Sequence, residues 1–149
     1  MEVQNLIPDI LMELILTAMS LHDILKRKVP VRLLVCMVIP VLASAAIAIT
    51  GDRIGEKLIV MLVGIIPGAL LILIGHITGK VGMADGIVLC VLGILEGARG
   101  ALVILAMGSL ILSLVSMILL ALKKVRRETR LPFIPFLGLG LLIWRFVFV

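Results

Sequence analysis

The stretch LIVMLVGIIPGALLILIG, residues 58–75, decides the fold of this chain. It contains no charged residue and lies between Lys57 and His76. Because a helix rises 1.5 Å per residue, about eighteen residues cross most of the roughly 30 Å hydrocarbon layer of a bilayer. The run is continuously apolar and does not alternate with polar residues. It therefore predicts a membrane-spanning helix and not a strand of a barrel.

The composition of the whole chain extends this prediction beyond one segment. Of the 149 residues, 62% are hydrophobic and only 15% are charged. The mean hydropathy is +1.34. A soluble domain of this size cannot bury so large an apolar share around a single core. We therefore expect an integral, all-α membrane protein.

Similar apolar segments recur along the chain and predict a single domain, 1–149, built as a bundle of six transmembrane helices. Their expected ranges are 4–24, 31–50, 57–76, 80–98, 100–122 and 132–148. The first segment follows no basic leader and shows no small-residue cleavage site, so we expect it to remain as a helix. Six crossings place both termini on one side of the membrane.

The distribution of Lys and Arg predicts which side that is. Ten basic residues fall in the first, third and fifth loops: Lys26, Arg27, Lys28, Arg32, Lys80, Lys123, Lys124, Arg126, Arg127 and Arg130. Four remain for the other face: Arg53, Lys57, Arg99 and Arg145. By the positive-inside rule the odd loops are cytoplasmic and both termini are extracytoplasmic. Anionic membrane lipid is the expected partner of the basic loops.

Asp23 and Asp85 are the candidate catalytic residues. On this topology both lie near the cytoplasmic face, Asp23 about 4 to 5 Å and Asp85 about 7 Å below the interface. Two carboxyl groups about 3 Å apart tend to hold one proton between them. The ionised member can activate a water while the protonated member hydrogen-bonds the carbonyl under attack. This is aspartic-protease chemistry, which needs no metal.

Simpler roles remain open for both acids. Asp85 would also suit a helix N-terminus, where its charge complements the dipole and its oxygen accepts a backbone N–H. Asp23 would also pair with Lys26 or Arg27 at helical spacing, which is worth about 0.2 to 0.5 kcal/mol. A carboxylate near a helix C-terminus opposes the dipole, and this favours a functional reason for Asp23.

Three motifs, taken in order, resemble those of the type IV prepilin peptidases. They are Asp23 followed by Lys26-Arg27-Lys28-Val29-Pro30, then Gly82-Met83-Ala84-Asp85-Gly86, and last Leu131-Pro132-Phe133-Ile134-Pro135-Phe136-Leu137. In that family an aspartate after the first helix precedes a basic-Ile-Pro-Asn stretch, Gly-x-Gly-Asp opens the fourth helix, and Pro-Phe-x-Pro-Phe enters the last. The chain departs from this pattern at Ala84, Val31 and Ile87, where the family has glycine, asparagine and often lysine.

The resemblance implies an aspartic endopeptidase in the cytoplasmic membrane of a prokaryote, with its active site facing the cytoplasm. It would cut the short basic leader from prepilins of a type IV pilus or from pilin-like secretion subunits, with Asp23 and Asp85 as catalytic residues. The residues that would position the motif or the substrate are Gly82, Ala84, Gly86, Pro132, Phe133 and Pro135. The first loop is too short for a methyl-donor site or a zinc ribbon, so neither methyltransferase activity nor a cofactor is expected.

Two other functions stay open. One is a proton-coupled small-molecule transporter that uses Asp9, Glu13 or Asp85, since acids within a membrane commonly have that task. The other is an inactive relative of the peptidases that acts as an assembly factor, for which Ala84 is the best argument. His76 is interpreted as an interfacial side chain.

The remaining motifs predict packing and no further chemistry. The Gly-x-x-x-Gly motifs at 64–68 and 93–97 predict close helix contacts inside the chain, and they leave the oligomeric state open. Cys36 and Cys90 have no Cys-x-x-Cys spacing, so they are interpreted as small buried hydrophobic residues and no metal site is expected. Phosphate-binding loops and nucleic-acid motifs are absent from the sequence, so no nucleic-acid partner is expected.

Overall fold

The computed structural model describes residues 6–26, 31–49, 54–79, 82–123 and 132–148. Within them the helices are α1 Leu6–Lys26, α2 Val31–Cys36, α3 Val38–Ile49, α4 Ile54–Thr78, α5 Met83–Ala121 and α6 Ile134–Phe148. The described residues contain no strand, so the all-α prediction is confirmed for them. The basic stretches at 27–30 and 124–130, together with Lys80, lie outside the described residues.

One predicted helix is divided. The segment 31–50 forms α2 and α3, which are separated at Met37. Pro40, three residues later, has no N–H to donate to the carbonyl of Cys36, and its ring crowds that carbonyl. The Met37 N–H is shared between the carbonyls of Leu33 and Leu34, at 3.3 and 3.2 Å. The helix therefore breaks here and restarts.

The chain turns back on itself at Gly97, inside α5. Gly97 has φ 74° and ψ 173°, a conformation that is open essentially to glycine alone. A methyl group on Gly93 would lie 3.4 Å from the Cβ of Ala101, whereas a straight helix separates residues eight apart by about 12 Å. We call 83–96 the first arm of α5, 98–121 the second arm, and Gly97 the corner. The two arms correspond to the predicted helices 80–98 and 100–122.

Helix α4 packs most extensively of all the helices against α5. Gly64 faces Gly93, and a methyl group on either would overlap the backbone of the other. Ile72 faces Gly86. Because the partners occur in opposite order along the two helices, α4 and the first arm are antiparallel. The close contact predicted from the two Gly-x-x-x-Gly motifs is present between Gly64 and Gly93.

Helix α6 lies against the second arm, and α1 lies against α6. Gly108 approaches Phe136, and Gly100 approaches Trp144, so α6 is antiparallel to the second arm. Buried side chains from α1, α5 and α6, together with Met37 between α2 and α3, form one core: Met12, Leu16, Met19, Met37, Val88, Leu89, Val91, Leu92, Ala101, Ile104, Ile134, Leu137 and Leu141.

Two helical segments of the described part, Gly55–Thr78 and Met83–Ala121, are long and apolar enough to cross a membrane. Because the chain turns at Gly97, the second arm of α5, 98–121, supplies the needed length in the latter, at about 36 Å. Many large apolar side chains point outwards, among them Leu62, Leu70 and Leu114, each more than half exposed. Helix α6 has 15 residues and spans about 22 Å, less than the hydrocarbon layer. These features support membrane association. Six crossings and the side of both termini stay predictions.

Candidate active site

Asp23 lies in the last turn of α1 and is buried, with 7% of its surface exposed. It follows Met12, Leu16 and Met19 at steps of four and three residues, so it lies on the helix face that enters the core. Taking a carboxylate out of water is costly unless it has partners. The position of Asp23 therefore depends on the groups that surround its side chain.

The first partner of Asp23 is the start of α6. The backbone N–H of Ile134 interacts with the Asp23 carboxylate. Ile134 is the first residue of α6, where N–H groups have no partner within the helix. The preceding Phe133 starts this helix, because its carbonyl accepts hydrogen bonds from Phe136 at 3.0 Å and from Leu137 at 3.1 Å. The predicted Pro-Phe motif thus directs a free backbone donor at Asp23.

Both prolines of that motif suit this arrangement. Pro132 precedes α6, and Pro135 is its second residue. A proline in the first helical turn removes an N–H that would have no acceptor there. Pro132, Phe133 and Pro135 are all half-buried, and Phe133 packs against the core.

Asp85 lies in the first turn of α5 and is half-buried. Gly82 is the N-cap residue, and its carbonyl accepts the Asp85 N–H at 3.2 Å. The Asp85 carboxylate interacts with the backbone N–H of Gly82. An acidic side chain three residues after the N-cap that reaches back to it is one half of a capping box. Asp85 therefore caps α5, as one of the sequence interpretations expected.

The neighbours of Asp85 differ in what they require. Among the described residues, the non-glycine position with a positive φ is Lys123, so Ala84 lies in ordinary helical conformation and needs no glycine. Gly86 is buried, and a methyl group there would overlap Ile72 of α4. Alanine in place of the family's glycine is thus unstrained at 84, while glycine is needed at 86 for packing.

The fold brings Asp23 and Asp85 near each other although they are far apart in sequence. The negative charge of Asp23 acts on the Asp85 carboxyl group. No α-carbon of α1 lies within 8 Å of an α-carbon of α5. The two α-carbons are therefore more than 8 Å apart, and it is the charge of the Asp23 carboxylate that reaches the Asp85 carboxyl group.

The position of the site along the bundle follows from the lengths of the helices. Asp85 lies about twelve residues before the corner and Gly108 about eleven after it, so both are about 17 Å from Gly97. Gly108 contacts Phe136, at the start of α6. Asp23, Asp85 and the Ile134 N–H thus lie at one end of the bundle. We call these three groups the candidate active site.

A second polar cluster lies at the other end, and sequence reasoning missed it. Arg145 donates to Glu96 Oε1 from Nη2 at 2.8 Å and from Nε at 3.1 Å, and to Glu13 Oε1 from Nη1 at 2.9 Å. The Trp144 Nε1–H donates to Glu96 Oε2 at 3.0 Å. We call these four residues the Arg145 network. It joins α1, the corner of α5 and α6.

The structure also places two histidines and two cysteines. His22, which the sequence did not single out, lies close enough to act electrostatically on Asp23. His76 is exposed. Cys36 and Cys90 are free thiols that are only partly buried, so the prediction that both are buried was wrong. At Cys90 the thiol lies at the α4 interface, with Sγ 3.7 Å from the Ile65 carbonyl oxygen.

Comparison with protein-family models, with curated proteins and with solved structures gives no match to this chain. Within the described ranges, no three His, Cys, Asp or Glu side chains are grouped so that they could hold a metal ion. Function is therefore inferred from the residues and their geometry.

Proposed function

We propose that this chain is an intramembrane aspartic endopeptidase that removes the short basic leader from prepilins or pilin-like secretion subunits. The observation that carries the proposal is the convergence of Asp23, Asp85 and the Ile134 N–H from three distant segments. Each of the three belongs to one of the motifs that resemble the type IV prepilin peptidases.

The energetic cost of this arrangement supports a chemical role. The buried carboxylate of Asp23 loses its hydration. A second carboxyl group nearby adds repulsion between like charges. Packing alone would favour an apolar residue at such a core position. Acids held in a membrane bundle at this cost are functional candidates.

In the proposed reaction the two carboxyl groups hold one proton between them. The ionised group takes a proton from a water molecule while the water oxygen attacks the peptide carbonyl carbon. The protonated group donates a hydrogen bond to the carbonyl oxygen. When the tetrahedral intermediate collapses, the C–N bond breaks, and the leaving amine takes up the proton that the carboxylate had removed from water, which returns that carboxylate to its ionised form. The Ile134 N–H orients the Asp23 carboxylate throughout.

The proposed setting is the cytoplasmic membrane of a prokaryote, with six crossings, both termini outside and the site facing the cytoplasm. Ile72 of α4 packs on Gly86, and α4 continues from there to Thr78, about 9 Å further along. With Thr78 at the membrane surface, Asp85 would then lie a short distance below that surface.

The test is cleavage of a co-expressed precursor that carries a short basic leader, a glycine and an apolar helix. The wild-type chain should shorten the precursor on a gel. Asp23→Asn and Asp85→Asn should each lower the cleavage rate at least 100-fold, because an amide cannot exchange the proton. Glu56→Gln makes the same chemical change at an exposed position and should leave cleavage intact. Full cleavage by either Asn variant rejects these roles.

The contact between Asp85 and Gly82 favours a second candidate, an inactive relative in which Asp85 only caps α5. Cleavage by the wild type separates the two, because an asparagine oxygen also accepts a backbone N–H and both candidates therefore predict a folded Asp85→Asn protein. A cap-only Asp85 predicts no cleavage by the wild type. The transporter alternative gains no support from Glu13, which is paired with Arg145.

A further inference from the structure

A groove of about 320 Å³ lies between α1 and α6 and begins beside the candidate active site. Ser20 and Pro135 form its near end, one helical turn from Asp23. Glu13 forms its far end and is held there by Arg145 at 2.9 Å. Between Ser20 and Glu13 the groove follows α1 for about 10 Å.

The walls of the groove are apolar or already hydrogen-bonded. Leu139 and Leu142 of α6 are exposed beside it, so it is open at the side. The hydroxyls of Thr17 and Ser20 each donate to the backbone carbonyl four residues earlier, at 2.8 and 2.7 Å. Both hydroxyls would therefore keep their hydrogen-bond partners when an apolar group occupies the groove.

We infer that this groove binds the apolar helix of the polypeptide that is cut, on one side of the scissile bond. This inference rests on the proposed function. A polypeptide inside the hydrocarbon layer must satisfy its own backbone groups, so it enters as a helix. A helix presents side chains at i, i+4 and i+7 over about 10 Å, which matches the length of the groove.

The position of the near end favours a peptide over a lipid chain as the occupant. A helix that lies in the groove ends one turn from Asp23, so the amide bond that follows it is delivered to the two carboxyl groups. A lipid acyl chain has no amide bond to present to these carboxyl groups. The groove thus selects substrates with an apolar helix next to the cleavage site.

Gly138 offers a direct test because it lines the groove and has room for a side chain. Among the described residues, a methyl group there would meet Ser20 Oγ, at 3.8 Å. Gly138→Leu therefore adds an apolar side chain to a residue that lines the groove and has room for its Cβ. Gly55→Leu is the matched control, since no atom of the described residues lies within 4 Å of a methyl group on Gly55.

Two probes are cleaved in reconstituted vesicles: the full precursor with its apolar helix, and a short leader peptide that ends a few residues after the glycine. Gly138→Leu should raise KM for the full precursor at least 10-fold and leave cleavage of the short peptide unchanged. Gly55→Leu should change neither. If Gly138→Leu slows cleavage of both probes equally, the substitution does not act on binding of the apolar helix, and that result overturns the inference.

A photo-crosslinking amino acid at position 142, in the uncleaving Asp23→Asn background, gives an independent readout. Crosslinking to the helix of the precursor, lost in Gly138→Leu, is the expected result. Crosslinking to lipid alone, with the wild type cleaving the precursor normally, overturns the inference and leaves the proposed function intact. If the wild type cleaves neither probe, both are rejected.

Discussion

Removal of the Arg145 guanidinium should destabilise the bundle more than the loss of any exposed charge. The side chains of Arg145 and Glu96 are 9% and 13% exposed, and three Arg145 N–H groups reach two carboxylates. In Arg145→Met, the partner that remains to Glu96 among the described residues is the Trp144 N–H. Breaking a buried pair from one side costs about 3 to 5 kcal/mol.

The Glu13 contact adds little to this sum. Its side chain is 39% exposed, so water screens the interaction and its share is below about 1 kcal/mol. Methionine retains much of the apolar stem of arginine, which limits the loss of packing. We therefore expect Arg145→Met to lower the free energy of unfolding by about 3 kcal/mol.

The assay is reversible unfolding in mixed detergent, followed by tryptophan fluorescence. Trp144 is the single tryptophan of the chain, and it donates to Glu96 inside the network, so the probe reports on this region. A double-mutant cycle with Glu96→Leu should give a coupling of about 1 to 3 kcal/mol. Arg32→Met, at an exposed position, is the control and should cost at most about 0.5 kcal/mol.

Two results would refute this reasoning. One is an Arg145→Met protein as stable as Arg32→Met. The other is a cycle in which the Arg145 and Glu96 costs simply add, because independent costs mean that the two side chains do not stabilise each other in the folded bundle.

Two further substitutions test the helix contacts and the motif around Asp85. Gly93→Ala should lower the free energy of unfolding by more than about 2 kcal/mol, because its methyl group overlaps the Gly64 backbone. A methyl group on Gly55 meets no atom of the described residues within 4 Å, so Gly55→Ala should raise the free energy of unfolding by about 0.5 to 1 kcal/mol in the same detergent assay. Equal effects at the two glycines would contradict the packing. Ala84→Gly should not increase precursor cleavage and should cost about 0.5 to 1 kcal/mol, since residue 84 is already helical; faster cleavage would show that glycine is needed there.

The positions of the helices were largely predictable because they follow from local sequence. Long apolar runs bounded by charges or glycines predict helices, and the observed boundaries of α1, α4 and α6 lie within a few residues of the predicted ones. The break at Met37 was missed, although Pro40 was a visible signal for it. The corner at Gly97 agrees with the predicted division at 98–100.

The candidate site was only partly predictable. Asp23 and Asp85 could be singled out because ionisable groups beside apolar segments are rare and costly. The Arg145 network could not, because Arg145 is 49 residues from Glu96 and 132 residues from Glu13. An isolated charge in a helix carries no local sign of its partner.

From sequence alone, then, the apolar helices, their approximate limits and the chemistry available to Asp23 and Asp85 could be determined, since these depend on residue type and on short-range spacing. Tertiary structure decided that Asp23 meets the start of α6 and that Asp85 caps α5 within range of the Asp23 charge. It also decided that Arg145 pairs with Glu96 at the opposite end of the bundle. These pairings depend on which glycines allow helices to approach and on where Gly97 turns the chain. Such contacts join distant positions, and no local pattern specifies them.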